Sequence, residues 1–183
     1  MHEDLERALA LYPFAFICTV NGACVEVEEV DAIVAGHTDK AEIFTEARRK
    51  AFPNGKPFDV FANWARRDRI PKHEYPSVTR WFSADCSTGA TSAAKAARMM
   101  FEMGHERVIL CGCPLDSSGY FPGESKKGRS ISHGCRRLGD PKEAQSRAIE
   151  GYRRKFHKLA QGEFKDRVFS MSGLTRTWLG EPE

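Results

Sequence analysis

His37 follows Asp31-Ala-Ile-Val-Ala-Gly36, an apolar run that reads as a buried strand, so the imidazole is delivered at a strand's carboxyl end. A side chain that titrates near neutrality there suits general-base catalysis or ligand binding, with a capping or core histidine as the plain alternative. Ser87-Thr88-Gly89 stands just ahead of an alanine-rich helix. Free backbone N–H groups at such a turn favour a phosphate or carboxylate, and Gly89 lets a ligand come close to the backbone. An ordinary helix cap fits the same residues. Asn21-Gly22 and Gly112 also end apolar runs, and ligands of open α/β sheets bind beyond the carboxyl ends of the strands. Each element alone is weak, and their coincidence carries the reading.

Further candidates surround these. Asp116, after Gly112-Cys-Pro-Leu, could act in catalysis by holding a metal or a ribose hydroxyl, or could simply shape a turn. Arg48 and Arg176 are candidate substrate-binding anion clamps, although arginines in such places are more often surface residues. His133 lies in a basic loop that could close over a substrate, and a solvated histidine fits equally well.

Several chemistries lose their usual support. There is no Gly-Lys-Ser/Thr phosphate loop, no GxGxxG fingerprint, no nucleophile elbow and no singled-out carboxylate pair. The cysteines at 18, 24, 86, 111, 113 and 135 form no CxxC pair and read as buried or partly buried thiols. Two thiolates one residue apart rarely turn toward one ion, so Cys111-Gly-Cys113 gives no expectation of zinc.

The elements that must position these residues follow from pattern and punctuation. Glu3 to Leu11 reads as a short helix stopped by Pro13, and Phe14 to Val20 as a strand covered on both faces. Val25 to Glu28 reads as a connecting ribbon, and Asp31 to Gly36 as the second strand. Asp39-Lys-Ala-Glu42 looks like a capping box, opening a helix with Phe44, Ala47 and Ala51 on one face. Strands are predicted at Asp59–Ala62 and Val78–Phe82, and a helix from Ala90 to Met103 ended by Gly104. Arg107 to Cys111 is a short buried strand. Asp140-Pro-Lys-Glu143 starts a helix bearing Ala144, Ala148, Tyr152, Phe156 and Leu159, closed by Gly162. Arg167–Ser170 is a last strand before a short terminal helix.

This alternation predicts an α/β fold: one Rossmann-like domain over 1–183, a mostly parallel sheet with helices on both faces. Residues 116–139 lack periodicity and are expected to form a mobile loop. No stretch approaches the roughly 20 apolar residues of a membrane helix, and no basic-then-apolar leader begins the sequence. A cytoplasmic location without membrane contact is therefore expected. Net charge is +3, yet between Lys126 and Lys158 eleven basic residues meet only three acidic ones. That run is either a solvated helix face or a positive rim that draws in a phosphorylated small molecule or nucleic acid. Nucleic acid is the weaker partner, because few aromatics are available there to stack bases.

The stretch from Ser87-Thr88-Gly89 through Ala93-Ala94, Ala96-Ala97 and Met103-Gly104 to Arg107-Val-Ile-Leu-Cys111-Gly112 and Asp116 resembles a recurring pattern. It is similar to the Rossmann-like group of motility accessory factor glycosyltransferases and 6-hydroxymethylpterin diphosphokinase-like proteins. It also resembles the bacterial lipooligosaccharide sialyltransferases, which carry a similar Asn-Gly turn after their first strand. Asp31-Ala-Ile-Val-Ala-Gly-His37…Arg48 and the ending Arg167-Val-Phe-Ser-Met-Ser-Gly173…Thr175-Arg176…Leu179-Gly180 are similar to uncharacterised phage and prophage proteins of this fold.

The resemblance implies that Asn21, Gly22, Ser87, Thr88, Gly89 and Gly112 line a nucleotide and that His37 is catalytic. The implied activity is a nucleotide- or nucleotide-sugar-dependent transferase, glycosyltransferase-like, phage-encoded and acting in the host cytoplasm. A Mg²⁺-dependent diphosphokinase-like enzyme, with Asp116 as the nominated ligand, and a non-catalytic nucleotide-sequestering protein are the alternatives. The chain is much shorter than the first two families and lacks their acceptor-binding segments, and one fold hosts many chemistries.

Overall fold

The computed structural model describes residues 1–36, 40–63, 75–82, 92–113, 150–151, 153–154, 156–158, 160–162 and 164–183. They divide into two compact units. One holds residues 9–108 with His2, and the other holds Met1, residues 3–8 and residues 109–183.

In the first unit, β1 (Cys18–Val20), β2 (Ala32–Ala35), β3 (Asp59–Asn63) and β4 (Arg80–Phe82) form a four-stranded sheet in that order. Every pairing is parallel, with Thr19 opposite Ile33, Val34 opposite Phe61 and Ala62 opposite Trp81. All four residues of β2 are buried, as expected of a strand covered on both faces. Alternation splits them. Ala32 and Val34 pack with Phe61, Phe82 and the α3 (Ser92–Glu102) residues Ala96, Met99 and Met100. Ala35 packs on the other face with Val60 and with Ala41 and Phe44 of α2 (Ala41–Ala51). This sheet therefore carries a helix on each face, and its α/β character agrees with the sequence pattern.

The α3 helix closes as the sequence suggests. Gly104 sits at φ +94°, its N–H donates to the Phe101 carbonyl, and the His105 N–H donates to the Met100 carbonyl. That pair of bonds is a Schellman cap, available because glycine accepts the left-handed region.

The local expectations fare unevenly. The predicted strand from Phe14 shortens to Cys18–Val20, and Phe14 is 98% exposed. Backbone bonds explain it: the Ala15 N–H turns back to Tyr12, and only from Ile17 does the chain meet β2, through Asp31 and Ala32. Asn21 takes the positive φ expected of the Asn21-Gly22 pair, which opens a 3₁₀ helix over Asn21–Val25. Asp39 of the expected capping box lies outside the described residues; Lys40 is the N-cap of α2 and makes no cap bond with its side chain. Glu42 then falls at the second helical position, not the third where it could reach back. Its carboxylate instead accepts from the Ser77 N–H at 2.9 Å and the Ser77 hydroxyl at 2.6 Å.

The second unit contains part of α1 (His2–Leu11), a two-stranded sheet of β5 (Val108–Leu110) and β6 (Val168–Ser170), and α5 (Gly173–Leu179). The described residues between 150 and 161 are helical and form α4, with Phe156 wholly buried as its predicted face requires. No helix among the described residues is long and apolar enough to cross a membrane.

Candidate functional site

A parallel sheet presents all its carboxyl ends at one edge, and here that edge is built from small and polar residues. Asn21 directly follows β1 and holds φ at +54°, a value that asparagine tolerates better than most residues. Its Oδ1 accepts the Gly36 N–H at 2.9 Å, fastening the end of β1 to the end of β2. Gly36 is there because nothing larger fits: a Cβ would lie 2.0 Å from the Ser92 Oγ and 2.6 Å from the Ser92 Cβ. Two strand ends and the first described turn of α3 thus converge within van der Waals contact. Asn63 ends β3 on the same edge.

The sequence candidates distribute unevenly over this geometry. Asn21 and Gly22 lie at the edge itself, in the 3₁₀ helix. His37, Ser87, Thr88, Gly89, Asp116 and His133 lie outside the described residues. His37 is the residue after Gly36 in the chain, and Ser87-Thr88-Gly89 precedes Ser92 by a few positions. Ser92, which sequence reasoning passed over, joins the site. Its only signal was a hydroxyl at the start of an alanine-rich helix.

Arg48 is corrected from anion clamp to internal strut. It is 1% exposed, and its guanidinium donates to the backbone carbonyls of Cys24 (2.9 Å), Val27 and Glu28. The same group lies over the Phe52 ring, 4.3 Å from its centroid. Its donors saturate a backbone segment that no strand pairs, as buried carbonyls require. Burial lowers its pKa from the ordinary arginine value. The buried face of α2 is accordingly Ala41, Thr45 and Arg48, whereas the predicted Phe44 and Ala47 are half-buried and Ala51 is exposed.

Gly112 is corrected likewise. In the second unit it takes φ +64°, and its N–H donates to the Asp4 Oδ2 at 2.9 Å. A Cβ there would lie 2.7 Å from the Met1 side chain. The amide expected to meet a ligand already holds the chain's own carboxylate. Asp4, 8% exposed, gave no stronger signal in the sequence than an acid in a helix's first turn. Arg176 is exposed and pairs with Glu181 at 3.7 Å, and Arg7 reaches the same carboxylate.

The four described thiols are held protonated; Cys86 and Cys135 lie outside the described residues. Burial, reinforced by the charge of Asp31, pushes the Cys18 thiol up to about 12. Burial pushes Cys24 to about 11 against the opposing charge of Arg48, Cys111 to about 12 with help from Asp4, and Cys113 to about 11. A nucleophilic cysteine needs the opposite shift. Among the described residues, no group of three His, Cys, Asp or Glu side chains gathers around a common point.

Comparison with protein-family models, with curated proteins and with solved structures gave no match.

Proposed function

We propose that the chain is a single Rossmann-like nucleotide-binding domain. In this reading it binds a phosphorylated small molecule, a nucleotide or nucleotide sugar, beyond the carboxyl edge of the four-stranded sheet and transfers a group from it. The convergence of Asn21, Gly36 and Ser92 carries the reading. It brings together the two strand ends and the helix start whose neighbours in the chain are His37 and Ser87-Thr88-Gly89. His37 is the general base for the acceptor hydroxyl, and the amides of the Ser87–Gly89 turn hold phosphate. Phage origin and a cytoplasmic setting belong to the same proposal.

The test is a thermal-shift panel of nucleotides, nucleotide sugars and pterins, with and without Mg²⁺, followed by turnover assays on the ligands that stabilise. Stabilisation by a nucleotide sugar together with turnover that His37→Ala abolishes is the expected result. Intact turnover in His37→Ala removes the base. Stabilisation without turnover turns the reading to a sequestering protein, and Mg²⁺-dependent stabilisation by ATP turns it to a diphosphokinase.

A further inference from the structure

At the opposite, amino edge of the sheet, the chain leaving α2 and entering β3 borders an open surface depression of about 480 Å³. That volume falls within the range of small-molecule sites. It is lined by Phe52, Phe58, Pro53, Pro57, Arg49 and Lys56. The two cations differ. Lys56 is answered by Asp31 at 2.9 Å and Glu29 at 3.6 Å, whereas Arg49 makes no ion pair among the described residues. A third cation stands behind the wall: the Arg48 guanidinium lies against Phe52, and its hydrogen-bond partners are neutral carbonyls. The charge of Glu28 acts on Arg48, and the carboxyl end of α2 contributes about half a negative charge, which leaves Arg49 as the cation for an incoming anion. A guanidinium against one face of a ring also lessens the ring's negative potential, which makes Phe52 a better neighbour for an anion-bearing ligand.

We infer that this depression binds a small planar organic anion: an aromatic ring against Phe52 and Phe58, its carboxylate or phosphate toward Arg49. The site is separate from the Asn21–Gly36 edge and does not depend on the function proposed there.

The test titrates the full-length protein with 1-naphthoate by calorimetry, beside 1-naphthalenemethanol, inorganic phosphate and adenosine monophosphate. Saturable naphthoate binding, at least tenfold weaker for the neutral alcohol and for phosphate alone, is expected. Arg49 is exposed, so Arg49→Glu keeps the fold, checked by circular dichroism, and should weaken binding at least tenfold. Phe58→Ala should weaken it too, and Asn21→Gly at the other edge should leave it unchanged. Adenosine monophosphate binding weakened by Arg49→Glu identifies a phosphate as an accepted anion; naphthoate binding alone restricts the site to carboxylates. Absence of saturable naphthoate binding at millimolar concentration, equal binding of the alcohol, or unchanged affinity in Arg49→Glu overturns the proposal.

Discussion

Gly36 and Gly112 each follow a strand, and each gives its amide to a side chain from elsewhere, but the two acceptors differ in charge. At Gly36 the acceptor is the neutral amide oxygen of Asn21; at Gly112 it is the carboxylate of Asp4. An amide bonded to a carboxylate already has the negative charge that a phosphate would bring. An amide bonded to a neutral oxygen is also engaged, but its acceptor carries no negative charge. Two strand ends that look alike in sequence, each followed closely by a glycine, therefore meet acceptors of different charge. Gly112 ties its strand to Asp4 of α1, and Gly36 fastens the ends of β1 and β2 together.

Mutations can break this contrast. The largest effect is expected at Arg48, whose donors hold the segment that follows Asn21. Arg48→Met strands three carbonyls and should cost about 4 kcal/mol in denaturant unfolding, at roughly 1–3 kcal/mol for each unsatisfied buried group with partial relaxation. A cost below about 1 kcal/mol would mean that the segment needs no strut. Gly36→Ala forces a Cβ into Ser92 and should cost about 2 kcal/mol, typical of overpacking. An unchanged midpoint would show that the edge is looser than the contact implies.

The two acceptors can then be compared directly. Asp4→Ala removes a charged acceptor and should cost about 2 kcal/mol; Asn21→Gly keeps the positive φ and removes a neutral one, costing about 1 kcal/mol. Asp4→Ala should also let phosphate raise the melting temperature where the parent protein does not respond, because it frees the Gly112 amide. Equal costs and no gained response to phosphate would erase the distinction drawn above.

A further effect is expected with pH. Cys18 and Cys111 keep their protons up to about 12 in the fold, against an ordinary value of 9.0. Above pH 9 the unfolded chain releases protons that the folded chain retains, so stability is complete below 9 and falls as pH rises toward 12. Cys18→Ala should flatten part of that decline in melting curves recorded between pH 8 and 11.

The sequence made the strands and helices legible where their hydrophobic pattern was decided by burial. The run Asp31–Gly36 contains β2, the Ala-rich stretch contains α3, and Gly104 supplies its cap. Phe14 and Phe16 misled, since an apolar run does not say which of its residues the rest of the chain covers. The buried face of α2 was hidden because it includes an arginine, and charge patterning treats arginine as surface. Arg48 is buried only because unpaired carbonyls of a distant loop need donors, a fact of tertiary geometry. The same holds for Asp4 at Gly112. The Asn21–Gly36 contact was legible in part, because both residues were marked as strand ends, but their bond to each other was not.

The succession of the parallel strands bears on how the protein is made. Cys18 faces Ala32, Ala32 faces Asp59 and Phe61 faces Arg80, so each partner lies fewer than thirty positions along the chain. As synthesis proceeds from the amino terminus, every new strand finds its neighbour already outside the ribosome. The four-stranded sheet can be assembled once Phe82 has emerged, with α3 arriving next to roof one face while the basic remainder of the chain is still being translated.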